Sequence, residues 1–457
     1  MKRILVFSLA GLLCGCGVGP KYQRPQVQIP APASSNSNSF GDLRWFEVFQ
    51  DETLIGLIRT ATSDNFDVLI AANRILQAGE EVRIARGQLL PQADVGFAPQ
   101  RGINNLNVLI QGERARPATT YTLNFGASWE IDLWGKLRSQ TQAARANFLA
   151  AKENRDVVVQ FLVTTLAQSY IGLRELDNEL EIAKGNLQTV QESLELTQIR
   201  EAGGVSSLVE VKQADSLVQT AKRSIPVIEQ QIVIQENSIN FLLGRNPGKV
   251  PRGQTLQQQN LSPLLPEGLP SSLIERRPDI RFAEQQLIAA NAQIGVAKAA
   301  LFPTIGLTGS GGSISSALQD LFANGTEFWL VGGSLIQPIF AGGRLRANYR
   351  LSKLQKEQLV LQYAKACQQA FREVADALVS VEKTREARIH QEALTKTLAD
   401  QQQLSWARYQ GGVTAFLEVL DTQRQYFSAQ QALSQAQRDE LLAVIALYKA
   451  LGGGWQQ

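Results

Sequence analysis

Histidine occurs once in these 457 residues, at position 390, and methionine once, at the first position. A single imidazole excludes most His-based catalysis and His-rich metal sites. Cysteine is nearly as scarce, with Cys14, Cys16 and Cys367. The first two lie in an N-terminal leader. Cys367 therefore has no partner for an internal disulfide and no paired-cysteine zinc spacing. It sits in an Ala-rich helical run, where a small buried filler is expected. His390 falls in a polar helical stretch and is expected on a surface. No nucleophile–base pair, metal cluster or phosphate loop is present, and the Gly-rich segment 309–312 has no lysine after it. Neither catalytic residues nor a cofactor are expected. Charge is balanced, 45 basic residues against 42 acidic, with no basic run interleaved with aromatics, so nucleic acid is not an expected partner. No unbroken run of 18 apolar residues is visible, so no helical membrane span is expected.

What is present begins with the leader. Lys2 and Arg3 precede an apolar stretch at 4–13, and Gly15 precedes Cys16. This is the pattern of a secretory signal over residues 1–15, too short to span a bilayer. Leu13-Cys14-Gly15-Cys16 resembles a bacterial lipobox, which marks Cys16 for acylation, although Cys14 stands where Ala or Ser is usual. Each buried CH₂ of an acyl chain contributes about 0.8 kcal/mol to membrane anchoring. Gly17, in place of an aspartate, favours the outer membrane over the inner. Residues 16–40 are rich in Pro, Ser and Asn and read as an extended linker.

The rest of the chain is written twice. Arg200, Gly203, Gly204 and Val205 return as Arg408, Gly411, Gly412 and Val413, displaced by 208 positions. Glu210 and Val211 return as Glu418 and Val419, and Gly135, Leu137 and Arg138 as Gly343, Leu345 and Arg346, at the same offset. The copies are assigned to 41–243 and 273–451, with a Pro- and Gln-rich link at 244–272 and a tail at 452–457. Each copy reads as a helix (66–90 and 279–302) ended by Pro91 or Pro303, then two strands, a long helix, a glycine turn and a shorter helix. The clearest strand lies within 120–133, where Tyr121, Leu123, Phe125, Ala127, Trp129 and Ile131 alternate with small or polar residues. Its partner is expected at 93–105, and the second pair at 304–316 and 327–340. The fold class is α+β, mostly α.

The long helices, 136–200 and 344–410, are each expected to reach roughly 100 Å. In the first, Leu173, Leu176, Leu180, Ala183, Leu187, Val190 and Leu194 keep a 3.5-residue period, the mark of coiled-coil packing. The second is Ala- and Gln-rich, with weaker periodicity. Shorter helices at 207–243 and 415–451 follow, and Pro226 is expected to kink the first. The helices at 66–90 and 207–243 together match the long helix in length, so they fit end to end along it.

Four strands are too few to close a barrel, and a lipid-exposed sheet must close. If the strands enter a membrane, several chains share one barrel. Three chains give twelve strands.

At this point the sequence resembles the outer membrane efflux protein family, the TolC-like channels, and more closely their lipoprotein branch. The matching residues are Gly19, Pro20, Tyr22 and Pro25 after the cysteine, Trp45, Phe46 and Phe49, and Glu275, Pro278, Asp279 and Ile280. The most specific run is Arg408, Tyr409, Gly411, Gly412 and Val413, followed by Leu417, Glu418, Val419, Leu420, Asp421, Gln423 and Arg424. The resemblance implies a homotrimer sharing a twelve-stranded outer-membrane barrel continued by a periplasmic helical barrel. Its implied partners are a periplasmic adaptor, an inner-membrane transporter and outer-membrane lipid. It also implies that the tips around Arg200, Gly203, Gly204, Val205, Arg408, Tyr409, Gly411, Gly412 and Val413 receive the adaptor. Leu417 and Asp421, with Glu418, would constrict the closed aperture, and Arg424 would brace neighbouring helices through ion pairs. The first copy has Gln213 where Asp421 recurs, so any carboxylate ring is unequal. Two other readings stay open from sequence: a conduit for protein secretion, and a periplasmic adaptor or structural coiled-coil lipoprotein.

Overall fold

The computed structural model describes residues 17–26, 43–102, 117–259 and 273–455; the leader with Cys16, the loop near Gly112 and most of the 16–40 linker lie outside them. Two short helices, α1 (Trp45–Val48) and α2 (Glu52–Asp64), precede α3 (Phe66–Gly87). Then come β1 (Gln92–Gly102), β2 (Ala118–Ile131), α4 (Lys136–Ala202) and α5 (Leu208–Leu242). After α6 (Leu273–Arg276), the second copy repeats the order as α7 (Pro278–Ala299), β3 (Thr304–Ser315), β4 (Glu327–Ile336), α8 (Arg344–Gln410) and α9 (Phe416–Ala450). The chain divides into two compact units. Of the described residues, one unit holds those within 1–26, 74–151 and 282–364, and the other those within 27–73, 152–281 and 365–457.

The first unit carries the sheet. All four strands pair antiparallel in the order β1-β2-β3-β4. The register aligns Phe97 with Leu123, Val95 with Phe125, Phe125 with Gly311, and Gly311 with Trp329. One face therefore gathers Val95, Phe97, Phe125, Leu307, Trp329, Val331 and Leu335, all exposed. Opposite them, Asn124, Ser128, Thr308 and Ser310 make a polar face. Among the described residues, β1 and β4 each keep an unpaired outer edge. Gly312 meets the Leu123 carbonyl so closely that a Cβ there would overlap it. β4 ends at Ile336, four residues short of the expected 340, because Pro338 cannot continue a ladder. The expected 93–105 strand is described as Gln92–Gly102.

The second unit is helical. Its core holds Leu54, Ile58, Leu166, Tyr170, Ile239, Val444 and Leu447, all at most 1% exposed. The short helices do meet end to end. Asn65 caps α3 by accepting from the Asp67 and Val68 amides, at 2.8 and 3.3 Å, and donates Nδ2–H to the Leu242 carbonyl at 2.9 Å. In the second copy Arg277 donates to the Ala450 carbonyl at 3.2 Å. Gly244 and Gly452, 208 positions apart, both turn with positive φ at these junctions, 68° and 87°. The segment before residue 260 is held by Asp51, whose Oδ2 accepts from Tyr170 Oη, the Gln254 amide and Gln259 Nε2 at 3.0, 2.9 and 2.7 Å.

Two expectations need correction. Helix α4 does contain an 18-residue stretch of mean hydropathy 1.3, apolar enough by composition to cross a bilayer. Polar residues such as Gln160 and Gln168 break the run and hide it from a search for uninterrupted apolarity. The stretch is 56% buried, and Val159, Val163 and Leu166 face the core, so protein packing accounts for it. Helix α5 continues past Pro226, which stands inside it. Helix α8 has a regular seam after all: Tyr363, Cys367, Ala370, Val374, Ala377 and Val381 are buried at steps of four and three. Small residues fill it, Cys367 among them, which is why hydrophobicity alone understated it. His390 is exposed.

Candidate functional site

The glycine turns between α4 and α5 and between α8 and α9 are built alike. In the first, Gly203, Gly204 and Val205 donate to the carbonyls of Ile199, Glu201 and Arg200 at 3.1, 2.8 and 2.9 Å. In the second, Gly411, Gly412 and Val413 donate to Ala407, Tyr409 and Arg408 at 3.0, 3.0 and 2.9 Å. The bond closing six residues back to one is a Schellman C-cap, which needs a left-handed residue. Gly204 and Gly412 supply it, with φ of 73° and 71°. A hydroxyl then binds a carboxylate in each copy, Ser206 to Glu210 and Thr414 to Glu418.

The copies diverge one residue after the shared arginine, and that divergence joins them. Tyr409 stands where the first copy has Glu201. Its ring is 3% exposed and packs with Ala214, Phe416, Val419 and Leu420. Arg200 lies over the ring, 4.6 Å from its centroid, and donates to the Tyr409 carbonyl at 3.2 Å. The phenol donates to Glu210 at 3.4 Å, and burial pushes its pKa up. Tyr409 was expected among the tip residues that receive the adaptor. It cross-links the two tips, with the half-buried Arg200 covering its ring. Val205 and Val413, 70% and 71% exposed, are what the tips present.

Just past the turns, α5 and α9 line an open groove of about 1010 Å³. Leu208, Val209 and Lys212 come from α5, and Leu417, Asp421 and Arg424 from α9. Leu417, Asp421 and Arg424 repeat at i, i+4 and i+7, one stripe along the helix. Glu418 is adjacent and lies 3.6 Å from Arg408. Asp421 accepts from Gln425 at 2.6 Å. Among the described residues Arg424 has no carboxylate within ion-pair distance, so the bracing pair expected of it does not form within one chain. The groove offers two carboxylates, two exposed leucines, Leu208 and Leu417, and two cations, Lys212 and Arg424, that have no carboxylate in ion-pair distance among the described residues, and no group set for covalent chemistry.

The sequence profile of the outer membrane efflux protein family matches residues 57–245 and 269–453. The chain belongs to that family. This efflux channel protein is 36% identical, over 99% of its length and 98% of the relative's, to the solvent efflux pump outer membrane protein SrpC of Pseudomonas putida. It is 32% identical to the cation efflux system protein CusC of Escherichia coli, over all of its own length and 99% of the relative's. The crystal structure of the open state of the MtrE outer membrane channel of Neisseria gonorrhoeae superposes with a TM-score of 0.86, at 31% identity, covering 96% of this chain and 99% of that one. The fold is that of the TolC-like channels, and the efflux channel resides in the outer membrane and extends into the periplasm. Its duplicated hairpins, each preceded by two strands, set aside the reading as an adaptor or a plain coiled-coil lipoprotein.

Proposed function

We propose that this protein works as a homotrimer that passively conducts small molecules or ions delivered by an inner-membrane transporter and a periplasmic adaptor. The observation that carries the reading is the four-stranded sheet with one apolar face and two open edges. Unpaired backbone groups are costly in hydrocarbon, so each edge must pair with another chain. Two chains would give eight strands, an interior filled by side chains; three would give twelve and a lumen. Cys16 would carry the acyl anchor. The exposed tip residues around Val205 and Val413 would receive the adaptor, and the stripe of Leu417, Asp421 and Arg424, with Glu418, would line the narrow periplasmic end. Arg424, with no carboxylate in ion-pair distance among the described residues, would pair with a carboxylate of a neighbouring subunit.

The test is single-channel recording in planar bilayers together with the mass of the detergent-extracted protein. Three chains per particle and discrete ion-conducting steps are expected. A monomer that never passes ions would overturn the proposal.

A further inference from the structure

In the first unit, residues 17–22 form a strap laid across α4 and α7. The Val18 amide donates to the Trp134 carbonyl at 3.2 Å, and Asn291 Nδ2 to the Pro20 carbonyl at 2.9 Å. Arg24 grips Glu284 with two bonds of 2.7 Å, and Tyr22 donates to the same carboxylate at 3.1 Å. Gly19 lies so close to Gly295 that a Cβ would stand 3.0 Å from its Cα. The strap is therefore fixed at several points, and it roofs a cavity of about 680 Å³.

The charge of that cavity is one-sided. Lys21, Arg138 and Arg145 line it, with Ser139, Gln142 and Gln285, and no carboxylate does. Arg138 is committed to Asp132 at 3.1 Å. Among the described residues, Lys21 and Arg145 have no carboxylate within ion-pair distance. The grooves on the second unit are different: one mixes Arg385 and Arg388 with Glu392 and Glu440, the other Lys212 and Arg424 with Glu418 and Asp421. A rigid, all-cationic concavity is suited to a phosphate group.

Its position indicates which phosphate. Gly135, in the cavity wall, is four residues past the end of β2. Beside it Trp134 stacks on Phe302, centroids 4.8 Å apart, and donates to the Pro303 carbonyl at 2.7 Å. Trp residues with a satisfied N–H at a strand end mark the headgroup level of a membrane. Arg138 lies about one turn and Arg145 about three turns along α4 from Trp134, and long basic side chains near that level reach lipid phosphates.

We infer that Lys21 and Arg145, with Arg138 as a fixed third cation, bind the phosphodiester of an anionic phospholipid in the periplasm-facing leaflet of the outer membrane. This rests on the barrel reading above, since it needs the strand ends at the membrane surface. The roofing strap begins one residue after Cys16, so the bound lipid would also fix the chain next to the expected anchor.

The test compares delipidated wild-type protein with the Lys21→Glu/Arg145→Glu variant by native mass spectrometry. Phosphatidylglycerol, phosphatidylethanolamine and inorganic phosphate are each added back. Wild type is expected to retain phosphatidylglycerol at least tenfold better than the variant and better than phosphatidylethanolamine. Lys21→Gln/Arg145→Gln should fall between them, and all three proteins should conduct ions alike. Equal phosphatidylglycerol retention by wild type and charge-reversed variant would overturn the inference while leaving the channel reading standing. Displacement of the lipid by millimolar inorganic phosphate would reassign the site to free phosphate and overturn it as well. A wild-type protein that never conducts would remove both.

Discussion

Arg200 in the first repeat lies over the ring of Tyr409 in the second, 4.6 Å from its centroid, so the two helical tips are fastened to each other. The ring is buried and the guanidinium half-buried, which puts the cation–π contact at about 1 kcal/mol. Tyr409→Ala also empties a packed core position, and a total loss of roughly 3–5 kcal/mol is expected. Tyr409→Phe removes only a 3.4 Å hydrogen bond and should cost under about 1 kcal/mol. Hydrogen exchange resolved by peptide checks this. In Tyr409→Ala the amides at 208–214 and 416–420 should exchange faster, and in Tyr409→Phe they should not.

The turn itself gives a second contrast. Gly412 has a φ of 71°, whereas a Cβ at Gly411 would meet its neighbours at ordinary distances of 3.5 Å and more. Gly411→Ala should therefore leave the tip intact, and Gly412→Ala should cost about 1–2 kcal/mol. Bulky residues at both positions should abolish pump-dependent resistance in cells while trimers persist in membrane extracts. Unchanged resistance would remove the docking role from these turns.

Glu418 and Asp421 stand at i and i+3 on exposed helix surface near the tip. Grouped around a narrow aperture in a trimer, such carboxylates would attract cations and oppose anions. The double substitution Glu418→Ala/Asp421→Ala should raise conductance or weaken cation selectivity several-fold in planar bilayers. Identical currents and reversal potentials would withdraw the two residues from the gate.

Much of this was legible in the sequence, and the exceptions share a cause. Helix α8 runs from Arg344 to Gln410 as its proline-free sequence implies. The 208-residue offset also places the two tips and the two Gly junctions, 244 and 452, in matching geometry. Period 2 was plain in β2, where large apolar residues occupy alternate positions. It was obscured in β4, where Phe328, Leu330 and Ile336 put apolar side chains on the face that is polar in β2. The α8 seam escaped notice because Ala370, Cys367 and Ala377 bury little area each, so a hydrophobicity pattern registers them faintly. The burial of Tyr409 was not readable at all: its partner Arg200 is 209 residues away, and only the folded chain brings them together.

Glu175, on α4, is buried, and this together with the nearby Glu179 carboxylate pushes its pKa up to about 7. Arg438 approaches it at 3.5 Å and lowers the shift, while Asp439 adds to it. A carboxyl held protonated in the folded state above its ordinary value makes the protein bind more protons folded than unfolded. Stability should then be highest below about pH 4.5 as far as this group is concerned, and should decline as pH rises through 7. Glu175→Gln removes the titration. It should melt higher than wild type above pH 7, by roughly 2–3 kcal/mol, and the difference should close toward pH 4.5. Parallel melting curves at pH 4.5 and pH 8 would show that the carboxyl is ionised without cost.

The joint between the two repeats within the sheet, β2 against β3, rests on one glycine. A Cβ at Gly312 would overlap the Leu123 carbonyl, while a Cβ at Gly309, three residues earlier in the same strand, would meet nothing within 4 Å. Gly312→Ala must therefore push β3 away from β2 or bend it, and the ladder from Tyr121–Ser315 to Ile131–Ile305 loses its spacing. Gly309→Ala adds only a methyl group to the apolar face, beside Ala127 and Val331. The same substitution at two nearby sites should thus give opposite results. Gly309→Ala should yield trimers in membrane extracts at the wild-type level, and Gly312→Ala should reduce them at least tenfold, with the chain left unassembled or degraded. Equal yields would mean that the strands are spaced more widely in the membrane than the β2–β3 register allows.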